Sequence, residues 1–472
     1  MAFPSIHFIF LFLPVVLLLY YLLPFKAWKH SVLIFASLVF FAWVEFSRLP
    51  VLIGSVLLNY LTGILLSVLI EKERTALARI VIWLGVAANI SLLAFYKYLP
   101  LYLNTINPNL AASQALAGIV MPMGISYFTF SAISYLFDVY HKALPAERNL
   151  LVFSAYFVMF PKLVQGPITR LKEIQSDLSK PVFSGENLAS GARRFIIGLG
   201  KKVILADSLA VVVTRVFDGN LKLIGADLAW YGLLAYTLQI YLDFSAYTDM
   251  AIGIGRMLGI KLPENFNYPY ISRSISDFWR RWHMSLTAWF RTYLFIPLEF
   301  ARRREKVFRQ PSNIFIVFLL TGLWHGASWN FIAWGAYYGA ILAFEAWRGN
   351  KLLKKSPQLF QHFYTLSLVM AGWLLFKFSD LYTLKLFVKT LVGRNGWLGL
   401  ENLRSMNLLM FLPFVLLGIL VSLPAVESAC QKLLKVSPKF RLLLDVCLLM
   451  LLAISVAFVL ANGFKVFIYE QF

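Results

Sequence analysis

Apolar stretches recur along almost the whole chain and are separated by short polar connections. A bilayer core about 30 Å thick needs about 20 mostly apolar residues in a spanning helix. Stretches suited to membrane segments lie near residues 8–24, 31–47, 50–70, 80–103, 116–137, 150–165, 195–217, 228–255, 313–346, 363–378, 405–423 and 441–462. With 313–346 counted as one or two elements, the pattern predicts an all-α polytopic membrane protein with about 10–13 membrane segments. Because no long linker interrupts it, we expect a single membrane domain, 1–472.

Basic residues in the connections predict the orientation, because Lys and Arg concentrate in cytoplasmic loops. The loops 25–30 and 71–79 carry basic residues, whereas 104–115 carries no charge. We therefore expect a multi-pass protein of the inner or plasma membrane with its N-terminus outside and these two basic loops inside.

This alternation fails at 150–165, where basic residues precede and follow the apolar stretch. Both flanks then belong on the cytoplasmic side, which predicts a re-entrant or interfacial segment. Such a segment is stable at membrane depth only where protein or water satisfies its backbone. The stretch 195–217 is also a candidate for a re-entrant or interfacial segment, because Lys201 and Lys202 interrupt it.

The stretch 256–312 is the most polar part of the chain and holds eleven Lys and Arg against four Asp and Glu. Its charge predicts a cytoplasmic location. Within it, Asp277 to Phe295 carries aromatic side chains at helical spacing. The pattern predicts an amphipathic helix on the membrane surface. The aromatic positions are Phe278, Trp282, Trp289 and Tyr293.

Composition agrees with a membrane protein: 60% of the 472 residues are hydrophobic and 14% are charged, against roughly 45–50% and about 25% in soluble domains. The net charge of +21 follows from basic cytoplasmic loops, and no nucleic-acid-binding motif accompanies it, so we expect membrane lipids and no nucleic acid as partners. Cys430 and Cys447 lack metal-ligand spacing. They predict neither a disulfide framework nor a metal site, and buried apolar thiols are the simpler expectation.

Generic catalytic signatures are absent from the sequence, including the G-x-S-x-G elbow, HExxH and the P-loop. The glycines of 253–259 have the wrong spacing for a dinucleotide loop and favour close helix packing instead. Asp243 and Asp249 lie six residues apart in an apolar stretch. Capping or internal hydrogen bonding is favoured for them, and paired acid–base chemistry is the alternative.

Two histidines are the strongest chemical candidates. His325 follows Trp324 in an apolar stretch and is flanked by Gly322 and Gly326, which permit close backbone approach or a local break. An imidazole at that depth is costly and usually faces a cavity or a partner. A satisfied core histidine is the alternative. His283 lies in the basic, aromatic segment, where an interfacial role is the alternative.

The segment DFWRRWHMSLTAWFRTYLFIPL, followed some 40 residues later by GLWHGASWNFIAWG, resembles the membrane-bound O-acyltransferase (MBOAT) family. Within the family, the chain is most similar to the alginate O-acetyltransferase branch of bacterial polysaccharide acetylation. Further matching stretches are FLFLPVVLLLYYLLP, MPMGISYFTFSAISYLFDVY, FPKLVQGPITR, YLDFSAYTDMAIGIGRMLGI, NFNYPYISRSISDFWRRWHMSL and VFIYEQF. The resemblance therefore covers nearly the whole chain.

The resemblance implies a ring of helices around thinned membrane, with a central funnel whose cytoplasmic and extracellular openings meet near the active histidine. It implies that His325 is the catalytic histidine of the family's WHG motif and that His283 is the second signature histidine. The chain departs from the family pattern in the residues that follow the His283 segment. Thr292 replaces a common aspartate, and Glu299 and Phe300 replace a glycine pair, so the following loop and the acceptor or partner can differ.

Acyl transfer requires a base for the acceptor hydroxyl, and a neutral imidazole with a pKa near about 6.5 suits that task. We expect His325 to act as this base, with an acyl-histidine relay as the alternative. His283, Trp324 and backbone N–H groups near Gly326 are candidate oxyanion donors. Arginine binds phosphate well, so we expect the donor to contact the residues Arg280, Arg281, Trp282 and Trp324.

The resemblance thus implies an O-acyltransferase that takes an acetyl group from cytosolic acetyl-CoA, used as a substrate with no bound cofactor. The acetyl group would cross the membrane to a cell-surface polysaccharide or to a secreted partner, such as an extracytoplasmic acetyltransferase. One alternative is D-alanyl transfer from a carrier protein to teichoic acid. A lipid or acyl transporter is a second, although the chain lacks the internal repeats of many transporters.

Overall fold

The computed structural model describes residues 2–106, 121–181, 183–305, 307–326, 328–397, 399, 406–436 and 438–471. All regular elements in these ranges are helices, and none is a strand, which confirms the predicted all-α class. The chain divides into two compact units. The single membrane domain expected for 1–472 stays a prediction.

The first unit comprises Met1–Phe195 and Thr248–Glu264. Its helices are Phe8–Phe12, Leu13–Leu22, Lys26–Glu45, Phe46–Arg48, Leu49–Glu71, Thr75–Ile106, Ile125–Tyr140, Leu150–Val158, Phe160–Leu163, Leu171–Ser179 and the larger part of Gly185–Gly200. Asn149 caps Leu150–Val158 by accepting from the backbone N–H of Leu151 at 2.9 Å. The helix ends at Met159, so the predicted segment 150–165 contains two short helices. Its re-entrant or interfacial placement stays a prediction.

The second unit comprises Ile196–Tyr247 and Asn265–Phe472. Its helices up to the second histidine are Lys201–Ala206, Asp207–Phe217, most of Ala226–Met257, Pro269–Ile271, Ile275–Arg281, Met284–Phe290, Arg291–Phe295, Ile296–Ala301 and Arg309–His325. Those that follow are Trp329–Phe344, Glu345–Gly349, Asn350–Lys355, Gln358–Lys377, Leu381–Leu391, Leu409–Phe411, Leu412–Val421, Pro424–Val436, Pro438–Asn462 and Ile468–Gln471. The apolar stretch 313–346 therefore holds two helices.

Four apolar helical stretches in the described ranges are long enough to cross a membrane. They are Lys26–Glu71, Thr75–Leu99, Gln358–Lys377 and Lys439–Asn462. A fifth arises if Leu409–Val421 and Pro424–Leu433, bent by 68°, count as one span. The expected total of about 10–13 segments includes shorter elements and stays a prediction, as does the orientation of the loops. Most of the loop 104–115 lies outside the described residues.

The continuous amphipathic helix predicted for Asp277 to Phe295 is wrong. The helix ends at Arg281, and His283 adopts a left-handed backbone conformation with φ of 45° before the next helix starts. Phe278 and Trp282 are buried inside the protein, where they pack 5.5 Å apart between ring centroids. Their apolar face is therefore covered by protein and not by lipid.

The two aspartates of the stretch 226–257 form ion pairs, and Asp243 also accepts the internal hydrogen bond that was favoured from the sequence, from the backbone N–H of Ile468. Asp243 pairs with Lys202 at 2.7 Å, and Asp249 pairs with Arg194 at 2.9 Å. Each carboxylate thus has a basic partner within its own unit, and the alternative of joint acid–base work stays untested. The nearby Gly253 packs against another helix: a Cβ there would lie 2.6 Å from the carbonyl oxygen of Gly191. This contact confirms the predicted helix packing for Gly253, whereas Gly255 approaches the carbonyl oxygen of Ile260 beyond the helix end.

The expectation of two buried thiols is wrong. Cys430 is half-buried and Cys447 is exposed. Cys447 lies on Pro438–Asn462, an apolar helix that is mostly exposed on the protein. The Cys447 thiol therefore lies on the outer surface of the protein and not in its core.

Candidate active site

His325 is the last residue of the helix Arg309–His325 and is 4% exposed. Aromatic rings surround its imidazole. They belong to Trp324, Trp334, Phe376, Tyr469 and Phe331, with centroids 4.6, 4.9, 5.3, 6.0 and 6.2 Å from that of His325. This environment excludes most water from the imidazole, and the predicted access from both sides of the membrane stays a prediction.

Two glycines allow this arrangement. The helices Arg309–His325 and Trp329–Phe344 cross where Gly322 meets Gly335, and a Cβ on Gly335 would lie 3.0 Å from the Gly322 Cα. Gly326 is extended, with φ of 179°, so it is not required for its backbone angles. A Cβ there would instead lie 2.5 Å from the Phe331 ring. The close approach predicted for the flanking glycines is confirmed.

His283 is 1% exposed and lies between the helices Ile275–Arg281 and Met284–Phe290. Its Nδ1 is 3.0 Å from Oδ1 of Asn265. The same oxygen accepts from the backbone N–H and the hydroxyl of Ser285, at 3.2 and 2.9 Å. An amide oxygen only accepts, so Nδ1 of His283 carries the proton and Nε2 carries a lone pair. Nε2 has no hydrogen-bond partner within the described part of the chain.

A series of rings connects the two histidines. The His283 ring meets Phe244 edge to face at 4.9 Å, and Phe244 stacks on Tyr469 at 4.2 Å. Tyr469 in turn lies 6.0 Å from His325, all distances being between centroids. The fold therefore brings His283 and His325 to the same aromatic cluster, although 42 positions separate them in the sequence.

Arg280 and Arg281 line an open pocket of about 430 Å³ that extends along the helix Ile275–Arg281 from its capping residue Ser274. Four basic side chains and one carboxylate contribute to it. Its lining comprises Ile271, Arg273, Ser274, Asp277, Arg280, Arg281, Asn350, Leu353, Lys354 and Gln361. Asp277 holds the Arg281 guanidinium at 3.2 Å, while the Arg280 side chain is 72% exposed. The pocket thus offers a net positive surface to an anionic ligand.

Trp282 and Trp324 lie apart from this pocket. Trp282 is buried against Trp373 at 4.8 Å and Phe266 at 5.1 Å between centroids. Trp324 packs on His325. Of the four residues expected to contact the donor, the fold therefore places only the two arginines in the pocket. Donor contact by either tryptophan stays a prediction.

Sequence reasoning missed Glu345, a fully buried carboxylate at the end of Trp329–Phe344. Its oxygens accept from the backbone N–H groups of Ile275 and Ser276, both at 2.8 Å, and from the Ser276 hydroxyl at 2.6 Å. The hydroxyl of Tyr364 donates to it at 3.3 Å. Glu345 thereby fixes the start of the helix that carries Arg280 and Arg281. A lone glutamate in the apolar run AFEAW was the available signal.

The residues that depart from the family pattern after Pro297 lie in the short helix Ile296–Ala301 and not in a loop. Glu299 accepts from Arg309 at 2.9 Å and from Asn313 at 2.7 Å, whereas Phe300 is exposed. The Glu299 carboxylate thus connects this short helix to the start of the helix that ends at His325.

Comparison with known proteins identifies the family. Residues 124–379 match the description "MBOAT, membrane-bound O-acyltransferase family". The chain is 40% identical to the probable alginate O-acetylase AlgI of Pseudomonas putida, over 81% of this chain and 78% of that protein. The chain belongs to the membrane-bound O-acyltransferase family. It is therefore a multi-pass membrane enzyme that transfers acyl groups to oxygen, as the sequence predicted.

Other members of the family are also similar to this chain. The peptidoglycan O-acetyltransferase of Helicobacter pylori is 34% identical over 82% of this chain and 79% of its own length. The teichoic acid D-alanyltransferase of Bacillus subtilis is 34% identical as well, over 55% of this chain and 69% of its own length. His283, His325 and the Phe244 ring between them lie within the matched family region, whereas Tyr469 lies outside it.

Proposed function

We propose that this MBOAT enzyme transfers an acetyl group from cytosolic acetyl-CoA to a polysaccharide at the cell surface, directly or through a secreted partner. The basic pocket beside the His283 segment carries this proposal. Its four basic side chains suit the phosphates of coenzyme A, because charge-assisted hydrogen bonds to phosphate are strong. The similarity to two O-acetylating relatives over more than four-fifths of the chain supports acetyl as the group transferred.

In the proposed reaction, His325 takes the proton from the acceptor hydroxyl as its oxygen forms a bond with the thioester carbonyl carbon. The carbonyl π electrons move to oxygen and then return as the carbon–sulfur bond breaks. The departing thiolate of coenzyme A receives the proton from His325. The aromatic surroundings keep water from competing with the acceptor.

Trp334 is the proposed oxyanion donor. It is buried, its ring lies 4.9 Å from that of His325, and its indole N–H has no hydrogen-bond partner in the described ranges. A buried donor without a partner is costly to stability and is expected where it serves a function. His283, by contrast, presents a lone pair at Nε2, which suits it to accept a hydrogen bond from donor or acceptor and not to stabilise an oxyanion.

Purified enzyme incubated with radiolabelled acetyl-CoA tests the proposal. We expect release of the coenzyme A thiol and appearance of label on added polysaccharide or on a secreted partner protein. D-alanyl transfer is the second candidate, supported by the similarity to the teichoic acid enzyme. Thiol release only from a D-alanyl carrier protein, with none from acetyl-CoA, would establish that candidate and reject ours.

A further inference from the structure

Three charged side chains lie together in the second unit, outside the pocket and away from both histidines. The Lys202 Nζ is 2.7 Å from Oδ1 of Asp243 and 2.9 Å from Oδ1 of Asp207. The side chains of Lys202 and Asp243 are 1% and 2% exposed. Buried ion pairs are expensive to desolvate and are weak evidence for stability alone. We call these three residues the Lys202 triad. Because stability alone does not account for the triad, we expect a functional role in what its carboxylates bind.

The second oxygen of each carboxylate in the triad holds the segment 463–471. Asp243 accepts through Oδ2 from the backbone N–H of Ile468 at 2.7 Å. Asp207 accepts through Oδ2 from the backbone N–H of Lys465 at 3.3 Å. Lys202 thus orients two carboxylates, and each of them fixes one backbone amide of the segment.

Aromatic contacts continue from the triad into the active site. The Lys202 ammonium lies 4.3 Å from the centroid of the Phe467 ring, which is buried and meets Tyr247 edge to face at 5.0 Å. Two residues further on, Tyr469 packs between Phe244 and His325. The backbone amide bound by Asp243 belongs to Ile468, which directly precedes Tyr469 in the sequence.

We propose that the Lys202 triad positions the segment 463–471 so that Tyr469 forms one wall of the His325 site. Lys202, Asp207 and Asp243 are then positioning residues, because they act through the segment and touch neither histidine. A catalytic group needs its surroundings held to within about 0.5 Å, and two amides bound to oriented carboxylates provide that restraint. The inference rests on the proposed function only in taking His325 as the catalytic base.

The double variant Lys202→Met, Asp243→Leu tests this proposal. It removes the central pair, and apolar replacement of such a pair is often neutral for stability. Asp207 loses its Lys202 partner in this variant and keeps its hydrogen bond from the backbone N–H of Lys465. Hydrogen exchange measured by mass spectrometry on the peptide 464–471 reports the restraint directly. We expect exchange there to accelerate by about tenfold, kcat to fall by about tenfold, and KM for the acyl donor to stay within about twofold. If this variant does not fold, Asp243→Asn provides the same readouts with a nearly isosteric side chain.

Asp249→Asn is the matched control, because Asp249 lies on the same helix and pairs with Arg194 instead of Lys202. It should change neither the exchange of 464–471 nor kcat. Unchanged exchange in the triad variants would show that the triad does not hold the segment. Faster exchange with unchanged kcat would show that the segment is not a wall of the site. If wild-type enzyme releases no thiol from acetyl-CoA, the proposed function fails, while the exchange measurement still decides whether the triad restrains the segment.

Discussion

Asn265 fixes the tautomer of the neutral His283 ring. Its Oδ1 accepts two hydrogen bonds from Ser285 and lies 3.0 Å from Nδ1 of the histidine, so Nδ1 donates and Nε2 is left with its lone pair. Complete burial lowers the pKa of His283 to about 3. The ring is therefore neutral throughout the physiological pH range and acts as a hydrogen-bond acceptor at Nε2. This geometry favours the acceptor role over the candidate role of oxyanion donor, and the part of His283 in catalysis stays a prediction.

The lowered pKa of His283 predicts a pH dependence of stability. The unfolded chain takes up a proton near the ordinary pKa of about 6.5, whereas the folded protein does not until about 3. The stability linked to His283 is thus complete above pH 6.5 and decreases as the pH falls from there towards 3. His283→Asn, which tolerates the left-handed backbone, should lack this component. Its Tm deficit relative to wild type should shrink between pH 7.5 and pH 5, and parallel Tm curves would refute the assignment.

Removing positive charge from the basic pocket should weaken donor binding. Arg281→Gln and Lys354→Gln should each raise KM for acetyl-CoA by about fivefold with little change in kcat, because they contact the ligand away from the reacting carbonyl. The effect should diminish at high salt, where charges are screened. Arg303→Gln removes an exposed charge outside the pocket and serves as control. Equal KM values for all three variants would place the donor elsewhere.

Glu345→Gln should lower the free energy of unfolding by roughly 1–3 kcal/mol, since Ile275 and Ser276 donate to different carboxylate oxygens and the new amide NH2 would face the backbone N–H of one of them. The loosened helix should also raise KM for the donor, because it carries Arg280 and Arg281. Denaturation in detergent and steady-state kinetics measure the two effects. The exposed Glu186→Gln is the control, and a variant as stable as that control would show that Glu345 does not cap the helix.

Trp334→Phe should reduce kcat by about 10²-fold, the effect typical of a lost oxyanion donor, while the smaller ring retains most of the packing against His325. Donor KM should change little. Trp329→Phe alters an exposed tryptophan of the same helix and should leave turnover unchanged. Wild-type kcat in Trp334→Phe would exclude its indole N–H from catalysis.

Much of the fold was predictable because long apolar stretches in a membrane protein have few alternatives to a helix. The same pattern could not locate breaks that depend on single residues. His283 adopts a left-handed conformation fixed by Asn265, which lies 18 residues earlier, and no local propensity signals that contact. The apolar periodicity around Trp282 was real, but it could not distinguish a face covered by lipid from one covered by protein.

Only part of the candidate site could be predicted, because residue type identifies some of its members and tertiary contacts identify the others. His283, His325 and the two arginines stand out by residue type and by family resemblance. Their neighbours Phe244 and Tyr469 are ordinary aromatic residues in an aromatic-rich chain, and only the fold brings them to the histidines. Lys202 and Asp243 were noticed as charges in apolar stretches, but their pairing across 41 positions required the structure.

Single-turnover transfer from radiolabelled acetyl-CoA by His325→Ala tests the central claim most directly. The variant should fold and bind acetyl-CoA like the wild type, whereas the rate of acetyl transfer should fall by about 10²–10⁴-fold, the contribution of a general base. The exposed His141→Ala is the control and should transfer at the wild-type rate. Wild-type transfer by purified His325→Ala would show that His325 is not the base and would contradict the account.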